Sequence, residues 1–397
     1  MPVRNAIQDM HEEFTAYRRT LHQNPQTAFE EVFISTFVGQ KLSEWGITFE
    51  SGLGGTGVVA TLKGRKTGSG KSIGLRADMD ALDIPEEGVK EWTSRIPGKM
   101  HGCGHDGHTV MLLGAAKYLS ENPNFDGTVY LIFQPAEETG KGAKAMMADG
   151  LFEKYPCDAV YGLHNWPYTP LGQVEVNLRA AMANVDNFDI TITGCGGHAS
   201  KPHTTVDPIV VAADIISTLQ TIVSRGTDPF EPAVVSVTNI KGGTGAYNVT
   251  PSSVHFSGTV RTYCDTLRGT IRQRIMELAG GIAGGFGASA ACRYHFGIDA
   301  TINDPRQAAF CATVAAAVVG DKNVNTEAQP SMGGEDFGAM LKGRPGAYIK
   351  MGQADPNDPA HGSSHGLHSP LYDFNDDLIP LGVEYWVKLV EMALPLK

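Results

Sequence analysis

The sequence predicts an α/β protein built on a mostly parallel sheet with helices around it, and a smaller α+β module of ferredoxin-like order inserted into it. Three observations carry this. Short runs that are apolar throughout, such as 128–133 (TVYLIF) and 159–163 (AVYGL), alternate with segments of helical period, as in a sheet buried on both faces. After about Ala183 the texture changes to half-buried alternating strands and two longer amphipathic helices, and from about Thr301 the first texture returns. The 397 residues, 42% hydrophobic and 19% charged, hold enough apolar material for two or three domains. The expected partition gives residues 1–182 and 299–397 to the larger domain and 183–298 to the insertion.

Taken in order, residues 7–45 carry Phe14, Tyr17, Leu21, Phe33, Phe37 and Leu42 at helical spacing, and Pro25 divides them into two helices. Residues 57–62 and 72–76 are β-rich and flank a Gly/Lys-rich turn at 63–71. A His-rich loop leads into a helix over 108–120, whose apolar positions include Val110, Leu113 and Ala116. A strand at 128–133, a short helix at 142–149 and a strand at 159–163 follow. In the insertion, strands at 188–193, 233–240 and 253–262, helices at 207–224 and 267–282, and a closing strand near 292–296 give a split β-α-β order. A last helix is expected over 380–394.

Charge narrows the range of partners. With 32 basic and 43 acidic side chains the net charge is −11, which argues against nucleic acid or an anionic membrane surface. No run of about 18 apolar residues stands out, and residues 1–30 show no secretory leader, so a cytoplasmic protein is the expectation. The six cysteines are scattered without a CxxC pair and read as reduced thiols.

The chemistry is densest at 100–109, MHGCGHDGHT. Cys103 and His105 stand two apart, so in an extended loop both face one side, and the interleaved glycines let backbone approach an ion closely. Strand 128–133 runs into Gln134-Pro135-Ala136-Glu137-Glu138. Adjacent carboxylates diverge, so one is placed to hold a cation while its neighbour acts on a water. Strand 159–163 delivers His164, and 72–75 delivers Arg76-Ala77-Asp78-Met79-Asp80. Sites in open α/β sheets gather at the carboxyl ends of strands, so these segments share an address. Asp80 is placed to accept a hydrogen bond from a ligand imidazole and fix its tautomer. His368 belongs to a second cluster, HGSSHGLHSPLYDFND, in which His361 and His365 read as parts of a solvated loop. His101, Asp106 and His108 keep both options, orienting a ligand or simply packing. Cys, His and Glu from several strand ends together indicate a metal centre.

HGCGHDGHT, PAEE, GLHNWP, GGHAS, NVTP, GTVRT, GGEDF and LHSPLYDFND, in that order, resemble the metallopeptidase M20 superfamily. The resemblance is closer to its amidohydrolase branch of hippurate hydrolases, N-acyl-amino-acid amidohydrolases and auxin-conjugate hydrolases. It implies a metal-dependent exopeptidase-like catalytic domain with an inserted lid and dimerisation domain. It also implies two divalent ions per subunit (Mn, Zn, Ni or Co) on Cys103, His105, Glu138, His164 and His368, with Glu137 as general base. In this branch the cysteine stands where other branches keep a bridging aspartate. His198 would act across the interface of a homodimer or higher homo-oligomer, on the oxyanion of the intermediate. Asn248 and Arg261 would meet the substrate's carbonyl and carboxylate, and Gly333 and Gly334 would bring backbone N–H groups to it. The implied reaction cleaves the amide of an N-acyl or N-aroyl amino acid. A dipeptidase or N-carbamoyl amino acid hydrolase is the alternative on the same fold, and a non-catalytic small-acid binding protein is the alternative of another class.

Overall fold

Branched and aromatic side chains fill both faces of four consecutive parallel strands, and these take the centre of an eight-stranded sheet. Its order is Thr48–Leu53, Gly57–Lys63, Thr128–Gln134, Ser72–Asp78, Ala159–Pro170, Gly346–Ala354, Val174–Glu175 and Val324–Asn325. Thr128–Gln134, Ser72–Asp78, Ala159–Pro170 and Gly346–Ala354 run parallel, while the first two strands pair antiparallel at one edge. The register sets Asp78 opposite Gln134, and Arg76 opposite Gly162, so Gln134, Asp78 and His164 come to one level of the sheet.

The computed structural model describes residues 3–355 and 365–396. The chain divides into two units: Met1–Ala181 with Thr301–Pro330 and Glu335–Lys397, and Met182–Ala300 with Ser331–Gly334. Gly333 and Gly334 therefore go with the inserted unit, not with the 299–397 segment of the sequence-based partition. In the larger unit the helices His11–His22, His105–Glu121 and Leu378–Ala393 pack together over the sheet. Close approach has a visible cause where His105–Glu121 meets Leu378–Ala393: a Cβ at Gly382 would lie 2.0 Å from Met111 Sδ, and one at Gly114 2.5 Å from Val383 Cγ2.

The inserted unit is an antiparallel sheet in the order Ala233–Gly242, Ser253–Thr262, Asn184–Thr193, Ser289–Ile298, the ferredoxin-like arrangement expected. Asn184–Thr193 alternates strictly, with Phe188, Ile190 and Ile192 turned inward against Val211, Ile215, Ile271 and Ile275 of two helices. The first helical stretch, Pro208–Gly226, is long and apolar enough by length and composition to cross a bilayer. Here Val211, Ala212, Ile215, Leu219 and Ile222 are buried in this unit's own core.

Residues 7–45 form the two helices expected on either side of Pro25, His11–His22 and Val32–Glu44, with a short turn Asn5–Gln8 ahead of them. Four elements depart from the sequence reading. The strand Thr48–Leu53 lies on the sheet edge with mostly exposed side chains, so it carries no apolar signal. The Ala-rich helix Pro305–Val319 and the strand Gly346–Ala354 fall where the pattern showed only a return of α/β texture. The helix expected from His108 begins at His105, three residues earlier.

Candidate metal centre

That earlier start reshapes the Cys103–His105 pair. Gly104 takes φ +94° as the residue before the helix, so the segment is a tight turn and not the extended loop expected. Only glycine fits, because a Cβ there would sit 2.4 Å from Asn165 Oδ1. The turn directs Cys103 toward His164, with Sγ 3.5 Å from Nε2, and starts the helix with the buried His105 ring facing the same space.

Each of these imidazoles is set by a backbone carbonyl. His105 Nδ1 donates to the carbonyl of Asp80 at 2.9 Å, and His164 Nδ1 donates to that of Asn165 at 2.6 Å. In its neutral form each ring thereby presents Nε2 as a lone pair. His105 Nε2 and Glu138 Oε1 are buried and have no hydrogen-bond partner among the described residues. His368 Nε2 lies 3.4 Å from Glu138 Oε2, while its backbone, at φ +66°, donates to Gly102 O at 2.8 Å. Donor atoms of Cys103, His105 and His164 form one group, and those of Cys103, Glu138 and His368 another, each within 4.8 Å. All five residues expected as ligands are thus brought together, and buried lone pairs without donors are what a bound cation would satisfy.

Charge supports the same fit. Burial, with Glu335 and Glu138 nearby, pushes the Glu137 carboxyl well above its ordinary range, and burial pushes Glu138 up to about 7. Burial and the Glu138 charge likewise hold the Cys103 thiol protonated. Burial alone would lower His105, but Asp78 and other neighbouring carboxylates outweigh it and raise the ring to about 10. The cluster holds more negative charge than its own side chains neutralise, and a divalent cation reverses that balance.

Behind the donors stands a network around Arg76, a residue placed at this address by the sequence but given no role there. Arg76 is fully buried and donates to Gln134 Oε1 at 2.9 Å, Asp78 Oδ2 at 2.8 Å and Glu335 Oε1 at 2.9 Å. Asp78 Oδ1 is 2.6 Å from His108 Nδ1, whose Nε2 is 2.7 Å from Asn165 Oδ1, so His108 braces the centre. The Asp336 backbone N–H donates to Glu137 Oε1 at 3.3 Å. Alternation along Arg76, Asp78 and Asp80 was the available signal for one shared face. Asp80 meets His105 Nδ1 first through its carbonyl, at 2.9 Å, with its carboxylate 3.4 Å from the same nitrogen, and that carboxylate also accepts the N–H groups of Glu137 and Glu138. Asp106 pairs with His22, and His101 is buried with no hydrogen bond on either nitrogen among the described residues. His361 lies outside the described residues, and His365 is half-buried in the loop before His368.

The remaining expected residues belong to the inserted unit. His198 is exposed on the short strand Gly197–His198, paired with Val249–Thr250, and Ala199 N donates to Asn248 O, which makes His198 and Asn248 neighbours. His198 Nδ1 is 2.8 Å from Ser200 Oγ. Arg261 is half-buried, bound through Nε to Thr259 Oγ1 at 3.1 Å and through an Nη to Met332 O at 3.4 Å, one residue before Gly333. Gly334 packs so closely that a Cβ would lie 2.7 Å from Val185.

A parallel sheet with Cys, His and Glu donors at its carboxyl edge defines a metal-dependent hydrolase. Residues 74–392 match the model of peptidase family M20/M25/M40, and the chain belongs to this family. It is 39% identical over 383 residues to the hippurate hydrolase of Campylobacter jejuni, covering 96% of this chain and 97% of that one. It is 38% identical over 371 residues to IAA-amino acid hydrolase ILR1-like 4 of Arabidopsis thaliana, covering 92% and 82%. Among solved structures it is similar to the Bacillus subtilis protein YxeP, a dinuclear metal binding peptidase of family M20. That similarity has a TM-score of 0.84 and 32% identity over 98% of this chain and 100% of that chain. The chain is a hydrolytic enzyme with M20 fold and candidate metal-binding groups.

Proposed function

We propose that this protein is a dinuclear-metal amidohydrolase that cleaves N-acyl, and especially N-aroyl, amino acids into a carboxylic acid and a free amino acid. The carrying observation is that Cys103 belongs to both donor groups, with His105 and His164 on one side and Glu138 and His368 on the other. A thiolate shared in this way suits two ions, and Mn, Zn, Ni or Co all accept such S/N/O donors. The names of the relatives, a hippurate hydrolase and an IAA-amino acid hydrolase, support the acyl-amino-acid class.

When bound, the ions supply Lewis-acid polarisation of the amide carbonyl and of the attacking water. The rest falls to the chain. Glu137, held by the Asp336 N–H, takes a proton from the water as its oxygen bonds to the amide carbon. It then delivers that proton to the amine nitrogen as the C–N bond breaks. Arg261 offers a guanidinium fork to the substrate carboxylate. His198 and the adjacent Asn248 meet the carbonyl oxygen as it becomes negative, His198 acting across the interface of a homodimer. Gly333 and Gly334 offer close backbone approach. We place the enzyme in the cytoplasm.

The test is release of amino acid from hippurate and from N-acetyl amino acids by chelator-stripped protein, with and without Mn²⁺. Metal-restored hydrolysis is expected, faster for the aroyl substrate. No hydrolysis with any of the four ions would remove the reading.

A further inference from the structure

We propose that Glu31 is a positioning residue for the reaction: its carboxylate holds the Ala136 backbone in a left-handed conformation and so sets where the Glu137 and Glu138 carboxylates stand beside His105. This rests on the roles given to Glu137 and Glu138 above. Ala136 is fully buried with φ +54°, a conformation that costs an L-residue roughly 1 kcal/mol or more. Glu31 Oε1 accepts the Ala136 N–H at 2.9 Å and the Phe29 N–H at 3.0 Å, and Oε2 accepts the Thr56 hydroxyl at 2.5 Å. Glu31 is itself fully buried.

The next two N–H groups are held by the other carboxylate. Glu137 N donates to Asp80 Oδ1 at 2.9 Å and Glu138 N to Asp80 Oδ2 at 3.0 Å. Three successive backbone donors of this turn are thus taken up by two carboxylates, as turn N–H groups commonly bind anions. The two anions are fixed relative to each other by the backbone: Thr27 bridges Ala81 in parallel, and Ala81 N donates to Gln26 O at 2.8 Å. On its far side the turn has no slack, since a Cβ at Gly142 would lie 1.6 Å from Pro135 O. Without Glu31, Ala136 is free to relax to negative φ, and rotation there swings both glutamates away from their tasks. Glu31 lies more than a hundred residues from the pair it aims, which is why motif spacing gave no hint of it.

The test uses the full chain, stripped of metal and titrated with Co²⁺, followed by absorption of the cobalt–thiolate pair, alongside kcat and KM for one N-acyl amino acid. Glu31→Ala is expected to weaken Co²⁺ binding and lower kcat by about 10- to 100-fold each, with KM changed much less. Glu31→Gln keeps an oxygen for the Ala136 N–H and should retain most of both. The decisive variant is Glu31→Ala with Ala136→Gly, because glycine adopts positive φ freely; about tenfold of each loss should return. Wild-type values in Glu31→Ala, or a double variant no better than Glu31→Ala, would overturn the proposal. If Glu31→Ala does not fold, Thr56→Ala removes one support only and should weaken Co²⁺ binding about two- to fivefold, and an unchanged affinity overturns it. A wild-type chain that binds Co²⁺ yet hydrolyses no N-acyl amino acid removes the function proposed above, while the cobalt arm still decides on Glu31.

Discussion

At the scale of single residues, Glu137 separates metal binding from turnover. Its neighbour Glu138 carries the orphaned oxygen near His105, whereas Glu137 is aimed at the Asp336 N–H. Glu137→Gln is therefore expected to lower kcat by about 10²- to 10⁴-fold with metal content per chain unchanged, read by elemental analysis beside initial rates. Cys103 gives a second expectation. As a metal-bound thiolate it should resist a thiol reagent until a chelator is added, whereas the exposed Cys195 labels in either case. Peptide mapping distinguishes the two sites, and labelling of Cys103 in the metal-loaded enzyme would contradict its assignment. The five donors were legible because they lie in short, Gly-rich or strand-terminal segments of unusual composition. Glu335, Asp336 and Glu31 act through partners distant in sequence, and such pairings leave no local pattern. Asp80 shows a subtler limit: its place was legible, but which of its oxygens comes closest to the histidine depends on a turn built by other segments.

At the scale of elements, alternation was the most readable signal and edges the least. Asn184–Thr193 and Ser253–Thr262 show period two in the structure as in the sequence. Thr48–Leu53 exposes most of its side chains, and Pro305–Val319 is so rich in alanine that it shows little contrast between faces. One buried charge pair joins the strand Asn184–Thr193 to the helix Asp265–Gly285. Asp186 is fully buried and accepts from Arg268 Nε at 2.7 Å, from the Tyr294 hydroxyl at 2.8 Å and from Gly297 N at 3.0 Å. Asp186→Ala would leave the almost fully buried Arg268 guanidinium with Asp299 and the Ile298 carbonyl as remaining acceptors, so a loss of about 1–3 kcal/mol in urea unfolding is expected. Replacing both partners by apolar residues of similar volume should cost less, which separates the lost charge pairing from lost packing.

At the scale of the whole larger unit, an ion network ties the helix His11–His22 to the loop before Leu378–Ala393. Arg18 Nε donates to Asp376 Oδ1 at 2.7 Å, and His22 lies 2.8 Å from Asp106 Oδ2 and 3.3 Å from Glu86 Oε1. Burial alone would lower the His22 pKa, but its hydrogen bonds to Asp106 and Glu86 outweigh that and raise it above 6.5. Burial alone would raise Glu86, but His22 and the Ser94 N–H outweigh that and lower it below 4.5. A raised histidine stabilises fully below its unfolded value and loses this as pH climbs through the folded one. A lowered carboxyl stabilises fully above its unfolded value and loses this as pH falls through the folded one. Both contributions are complete between 4.5 and 6.5, so wild-type stability should decline above 6.5 more steeply than that of His22→Gln, measured by denaturant midpoints across pH. Parallel pH curves for the two proteins would refute this. The inserted module was legible at this scale as a change of texture, whereas the return of Ser331–Gly334 to that module was not, because four residues carry no texture of their own.

The strand paired with Ala159–Pro170 on its outer side is Gly346–Ala354, and the whole of Met182–Ala300 lies between them in sequence. During synthesis, therefore, the inserted unit emerges complete while the sheet holding His164 still lacks its central neighbour. Cys103, His105, Glu138 and His164 must wait, with an open apolar edge beside them, for the same late segment that brings His368. A polypeptide interrupted between Gly334 and that segment thus contains every residue of the inserted unit and an unfinished larger one. The donors from the first segment therefore gain their full set of neighbours only once Gly346–Ala354 and His368 have been made.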